Sequence, residues 1–211
     1  GEIVQAVLVE DGKVLATGTL EDLQPLADEI LDLQGAVMYP GFVDSHLHMI
    51  GHGEKLKRLD LTTVTSGDEL LQRVQEAASK LEDGQWLIGE GWNENQFLDG
   101  RVPTKEQLDA ITMNPMYLNR ICHHVALCNS AALERAGVTV ATKDVAGGKF
   151  GRDNNGRLNG LLYEQAMQVV SQTFQQQGEA YVESLVHSLE LAIQDMHRYG
   201  LTGGHTEEMG Y

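Results

Sequence analysis

The chain has 211 residues, 42% hydrophobic and 22% charged, an ordinary globular composition with enough apolar material to bury a core. Its formal net charge of -16 excludes nucleic acid and anionic membrane as expected partners, because phosphate would repel it, and leaves a small molecule as the expected one. Two cysteines, Cys122 and Cys128, are too few for a disulfide framework and lack a Cys-x-x-Cys spacing, which fits a reducing cytoplasm. Neither a basic start followed by an apolar stretch nor a run of bilayer-spanning length occurs, so a soluble cytoplasmic protein is the expectation.

In chain order, Ile3 to Val9 and Lys13 to Thr17 read as two strands joined by Asp11-Gly12, a dipeptide suited to a tight hairpin. Leu20 to Ile30 is an acidic helical or turn segment broken by Pro25. An apolar run from Val37 breaks at Pro40-Gly41 and resumes as a strand through His48; Gly51-His52-Gly53 reads as a flexible loop. Ser66 and Glu69 form a capping-box pattern for a helix carrying Leu70, Leu71, Val74, Ala77, Ala78 and Leu81, stopped by Asp83-Gly84. Strands follow at Trp86 to Gly89 and Met116 to Ile121, with a short helix capped by Thr104 and Gln107 between them and another over Asn129 to Ala136. Residues 141–160 read as a hairpin or extended loop turning at Asn155-Gly156. Leu161 to Phe174 is expected to be a helix, and Ala180 to Tyr199 a longer one with Leu185, Leu189, Ala192, Met196 and Tyr199 on one stripe. Leu201 to His205 closes the series as a strand.

The chemistry concentrates at Asp44-Ser45-His46-Leu47-His48. Alternate residues of a strand share a face, so Asp44, His46 and His48 point the same way and two imidazoles aim at one point. Neutral imidazole is the common side-chain ligand of zinc and similar ions, and a strand holds two of them without ordering a loop. Asp44 stands where a carboxylate can accept an imidazole N–H and set the tautomer. The competing reading is a strand whose histidines merely alternate.

Pro40-Gly-Phe-Val-Asp-Ser-His-Leu-His48 resembles the first barrel strand of the amidohydrolase superfamily, metal-dependent hydrolases on a (β/α)8 barrel. Further along, Trp86-Leu-Ile-Gly-Glu-Gly-Trp92-Asn, Tyr117-Leu-Asn-Arg-Ile-Cys-His-His124, Asn129-Ser-Ala-Ala-Leu, Arg152-Asp-Asn-Asn-Gly156 and Gly160-Leu-Leu-Tyr-Glu164 are similar to the subgroup containing YtcJ-like proteins and N-substituted formamide deformylases. The resemblance implies an α/β fold: a partial (β/α)8 barrel, part of a small N-terminal β-domain, and a large insertion after barrel strand one. Residues 1–36 would belong to the composite β-domain, 37–54 to the first barrel strand and its loop, 55–175 to the insertion over the barrel mouth, and 176–211 to a barrel helix and the second barrel strand. A complete barrel takes about 250 residues, so the chain is expected to be a truncated piece.

The same resemblance implies His46 and His48 as ligands of a divalent ion, zinc for preference and one or two ions in all, with Asp44 behind them. The remaining ligands and the catalytic aspartate would come from later strands, so no catalytic residue is assigned within this chain. His124, followed by Asn129, matches a histidine of the family's Asp-Gly-His segment, although Cys122-His123 stands where Asp-Gly is common. Substrate contact and plain strand-end exposure are both open for it. Trp92 and Gln96 would overhang the site as an aromatic wall beside a polar group, with core anchoring the other reading for Trp92. Glu164 reads either as a substrate contact or as a carboxylate at a helix start, favoured by the dipole. His187, His197, Arg152, Asp153 and Arg157 read as surface or locally paired groups, and His205 as a strand-end histidine that could face the metal. Gly147-Gly148 and Gly151 lack the spacing of a phosphate loop, and no Gly-x-Ser-x-Gly elbow occurs.

The expected function is hydrolysis of a C–N bond in an amide, N-acyl or N-formyl small molecule by the full protein, this piece being inactive alone. The rival expectations are a non-catalytic binding or regulatory module that keeps the insertion, and a purely structural metal site. Unpaired edges of an incomplete sheet suggest a homo-oligomer.

Overall fold

The computed structural model describes residues 3–208 and divides into two compact units, Gly1–Pro40 and Gly41–Tyr211. In the first, strands β1 (Ala6–Glu10) and β2 (Lys13–Gly18) pair antiparallel. Asp11 and Gly12 both have positive φ, 50° and 74°, as a two-residue hairpin turn requires. A four-residue helix, α1 (Leu20–Leu23), follows, capped by Thr19, whose hydroxyl accepts from the Asp22 N–H. A short 3-10 turn containing Pro25 comes next.

The second unit holds two sheets. Strand β3 (Phe42–Leu47) pairs in parallel with β10 (Leu201–Thr206), the last strand described. The residues between them in the chain build a six-stranded sheet in the order β4-β5-β6-β7-β9-β8, where β4 is Leu59–Asp60, β5 Leu87–Trp92, β6 Met116–Arg120, β7 Val125–Cys128, β8 Gly148–Arg152 and β9 Leu158–Glu164. The first three run parallel and the rest antiparallel. Period-two alternation splits its side chains between two cores. Met116, Leu118 and Leu127 pack with Leu61, Leu70, Val74 and Trp92 on one face; Tyr117, Ala126, Cys128 and Leu162 pack with Leu133, Phe150, Ala166 and Val170 on the other. Helix α3 (Gly67–Ala78) covers the first face, and α5 (Ser130–Arg135) and α6 (Gln165–Ser171) the second.

Local chemistry starts these helices where expected. The Ser66 hydroxyl accepts from the Glu69 N–H, while Glu69 turns back to the Thr65 N–H and hydroxyl and not to Ser66 itself. Thr104 and Gln107 complete a capping box on α4 (Lys105–Asp109). The hairpin of β8 and β9 turns through Asp153 to Arg157.

Three local expectations change. Helix α3 ends at Ala78, capped by Ser79, well before Asp83-Gly84. Leu161 to Glu164 is strand, not helix, because Leu162 and Leu161 are needed on opposite sheet faces. Gly51-His52-Gly53 lies inside a helix, α2 (Met49–Leu56), which packs on α7 (Gly178–Arg198). There a Cβ on Gly53 would sit 1.9 Å from the Ser188 carbonyl oxygen, so only glycine allows the two backbones to touch. The seam is polar: the Ser188 hydroxyl donates to the Glu54 carboxylate, Lys57 Nζ reaches Glu54 (2.7 Å) and Ser184 Oγ (2.8 Å), and His52 Nε2 lies 2.8 Å from Asp195 Oδ2. On α7, Ser188, Ala192 and Met196 are buried, whereas Tyr199 is exposed.

Candidate metal centre

His46 lies on β3, and His48 is the residue from which α2 starts. Their rings meet edge to face, 5.4 Å between centroids and 88° between planes, and both side chains are exposed. His48 Nδ1 donates to the Glu207 carbonyl at 2.5 Å; a carbonyl only accepts, so this bond places the proton on Nδ1 and leaves the Nε2 lone pair free. Asp44 does not touch an imidazole. Its Oδ1 accepts from the backbone N–H of His46 at 3.0 Å, which braces the strand and not the ring.

Glu208 joins this corner, a residue the sequence reading passed over. Its Oε1 accepts from the Ile50 N–H (2.9 Å) and the Thr206 hydroxyl (2.6 Å), while its buried Oε2 has no partner among the described residues. Burial pushes this carboxyl up, but the Thr206 hydroxyl and the Ile50 and Met49 amides outweigh it and hold it below the ordinary value. The signal was a glutamate just past the strand that pairs with the histidine strand, visible only once that pairing is known.

The other predicted residues separate. Trp92 is 2% exposed and donates its indole N–H to the Leu118 carbonyl at 2.9 Å, so it anchors the core and forms no wall of an open site. Asn129, 0% exposed, accepts from the Met116 and Ala132 N–H groups and donates to the Asn114 carbonyl, so its amide serves helix and strand ends and not a ligand. Gln96 is exposed at the end of a 3-10 turn, Glu94–Gln96. His124 and Glu164 are brought together, Nδ1 to Oε2 at 2.9 Å, far apart in sequence but adjacent on the sheet. His205 is exposed on β10, and among the described residues no three His, Cys, Asp or Glu side chains gather around one point. A cleft of about 580 Å³, lined by Lys105, Ser130, Val138, Thr139 and Leu158 among others, contains none of the predicted site residues.

Compared with known proteins, residues 29–211 match the model of the amidohydrolase family. The chain belongs to that family. It is 45% identical to YtcJ of Bacillus subtilis (strain 168), over all of this chain and 40% of the relative, and 30% identical to the N-substituted formamide deformylase of Arthrobacter pascens, over 94% of this chain and 38% of the enzyme. Among solved structures, an uncharacterized metal-dependent hydrolase from Pyrococcus furiosus superposes with a TM-score of 0.65 at 28% identity, covering 97% of this chain and 40% of that one. The chain thus spans about two fifths of the length of these relatives.

For an amidohydrolase, the residues present fit a divalent ion in part. Two neighbouring imidazoles, one with its tautomer set for binding through Nε2, are the right donors, whereas Glu208 does not gather with them around one point. Two nitrogens leave a tetrahedral ion half-coordinated, so further ligands must come from elsewhere. No helix among the described residues is long and apolar enough to cross a membrane.

Proposed function

We propose that this chain is the metal-anchoring part of a metal-dependent hydrolase that cleaves the C–N bond of an amide, N-acyl or N-formyl small molecule. The observation that carries the reading is the pair of imidazoles at the end of β3, 5.4 Å apart, with His48 Nδ1 tied to the Glu207 carbonyl. His46 and His48 would hold the ion through nitrogen, zinc being the natural choice for imidazole donors. When bound, such an ion makes water nucleophilic near neutral pH and polarises the scissile carbonyl. Asp44 stiffens the strand backbone beneath His46, and the Glu207 carbonyl keeps the His48 proton on Nδ1, so that the His48 ring is oriented, and the backbone carrying His46 is fixed, before an ion arrives.

The architecture proposed with it is a partial (β/α)8 barrel. The parallel pair β3–β10 would be its first two strands, α7 a barrel helix, and the six-stranded sheet the insertion. Phe42 and Val43, 58% and 63% exposed on opposite faces of β3, are apolar side chains that the rest of a barrel or a second copy would cover. Residues 1–36 would contribute to a separate β-domain. Two unbridged cysteines, one buried and one half-buried, suit a reducing cytoplasm. Gln96 remains a proposed substrate neighbour through its exposed position.

The test is metal content by elemental mass spectrometry, for the parent and for the His46→Ala/His48→Ala pair, in the chain alone and in the polypeptide as its cell makes it. The expected result is metal in the full polypeptide that the double variant loses together with amide hydrolysis. The chain alone should bind weakly, since two ligands leave the coordination open. Unchanged metal and unchanged hydrolysis in the double variant would refute the reading; full metal and no hydrolysis of any amide would favour a structural ion.

A further inference from the structure

At the carboxyl ends of the parallel strands β5 and β6, the loops of the large sheet converge on the pair His124 and Glu164. Arg120 ties two of these loops, its Nε donating to Glu94 at 2.6 Å and its Nη1 to Cys122 Sγ at 3.2 Å. The pair itself is not packing: the side chains are 67% and 56% exposed. Its backbone is strained on both sides. His123 has φ 59°, and Glu164 sits at φ 51° and ψ -124°, outside the regions open to residues with a Cβ.

The surroundings enforce that conformation. The Glu164 N–H donates to the His124 carbonyl at 3.0 Å, and the Gln165 N–H donates to the Gly147 carbonyl at 3.3 Å. Gly148 leaves room for the turn: a Cβ there would lie 2.2 Å from the Ala166 nitrogen. A strand running through one positive-φ residue into a helix is the elbow that displays a nucleophile in other hydrolases. Here it displays a carboxylate. The N–H that would complete an oxyanion hole, that of Gln165, is engaged with Gly147, so Glu164 is not arranged for attack. It faces a ring nitrogen instead, and an ionised carboxylate only accepts, so His124 donates through Nδ1 and presents its Nε2 lone pair outward.

We infer that His124 and Glu164 form a dyad that recognises the N–H of a secondary amide, His124 Nε2 accepting that hydrogen bond and Glu164 acting as the positioning residue that holds the tautomer. This rests on the amide-hydrolase reading for the identity of the ligand, but not for the dyad itself.

The experiment has two arms. The first uses the full polypeptide with N-butylformamide and N-butyl-N-methylformamide, which differ in the N–H. His124→Ala and Glu164→Ala should each raise KM about tenfold for the secondary amide, the worth of one good hydrogen bond, and about twofold or less for the tertiary one. An equal change for both amides, or none, overturns the proposal. The second arm uses 15N-labelled imidazoles in the 211-residue chain. Wild type should show the Nδ1–H tautomer at His124, and Glu164→Ala should lose it, with circular dichroism confirming the fold; N-butylformamide should shift Nε2 and the tertiary amide should not. If wild type hydrolyses neither amide but this pattern holds, the hydrolase reading fails and the dyad stands. An Nε2–H tautomer in wild type overturns the dyad whatever the activity.

Discussion

The α2–α7 seam gives the sharpest prediction, for Gly53→Ala. A Cβ at this position would stand 1.9 Å from Ser188 O and 2.4 Å from its carbonyl carbon. Ordinary contact begins near 3.4 Å, so the helices must part by about 1.5 Å, and no rotamer change helps because the obstacle is backbone. The 2.8 Å bonds from Lys57 to Ser184 and from His52 to Asp195, and the Ser188 hydroxyl's bond to Glu54, cross the seam and cannot all survive that displacement. Replacing a helical glycine with alanine gains about 1 kcal/mol in helix propensity. Against this stand overpacking of about 1–3 kcal/mol and about 1 kcal/mol for each polar link lost. The net expectation is a loss of about 2–4 kcal/mol in urea unfolding of the chain, with the midpoint falling and the slope unchanged. His48 precedes α2 directly, so its ring should also move, and metal affinity of the full polypeptide should fall with it. Ser188→Ala should not rescue the variant. A Gly53→Ala protein within about 0.5 kcal/mol of the parent would refute the close-contact argument.

Asn129→Ala removes a helix cap worth about 1 kcal/mol and strands the buried Met116 N–H and Asn114 carbonyl at about 1–3 kcal/mol more. Thermal unfolding should drop by about 5–15 °C for a domain of this size, and the hydrolysis proposed for the full polypeptide should persist below that temperature, because Asn129 is spent inside the fold. Acid should loosen the same seam that Gly53 closes. Burial pushes the Glu54 carboxyl up, but the Lys57 ammonium and Ser188 hydroxyl outweigh it and keep it below the ordinary 4.5. A folded-state value below the unfolded one means that the unfolded chain binds more protons between the two, so the stabilisation is whole above about pH 4.5 and is lost as pH falls through the lower folded value. Urea midpoints should therefore decline in acid, and Glu54→Gln should flatten that decline; an unaltered pH profile in the variant would exclude Glu54 as a source.

Much of the local structure was legible from residue order. Asp11-Gly12 announced its hairpin, Ser66 and Thr104 their helices, and Asn155-Gly156 its turn, because each acts through backbone angles or hydrogen bonds within four residues. His46 and His48 were legible for the same reason: two positions apart near the end of one strand, they meet whatever the rest of the chain does. Errors arose where a distant partner overrode a local preference. Two glycines around His52 suggested a loop, until α7 supplied a backbone that only glycine could approach. Leu161 to Glu164 had helical composition but was claimed by neighbouring strands.

Sequence alone thus determined the family, the pair of histidines, and most of the capped helices, all properties carried by short stretches of chain. Only the tertiary structure decided that Trp92 and Asn129 are spent in the core, that Asp44 braces backbone and not a ring, and that Glu164 reaches back to His124 across 40 residues. The physical reason is that burial and hydrogen-bond partnership are properties of pairs of distant residues. A side chain's type states what it can do, and its neighbours decide whether it is free to do it.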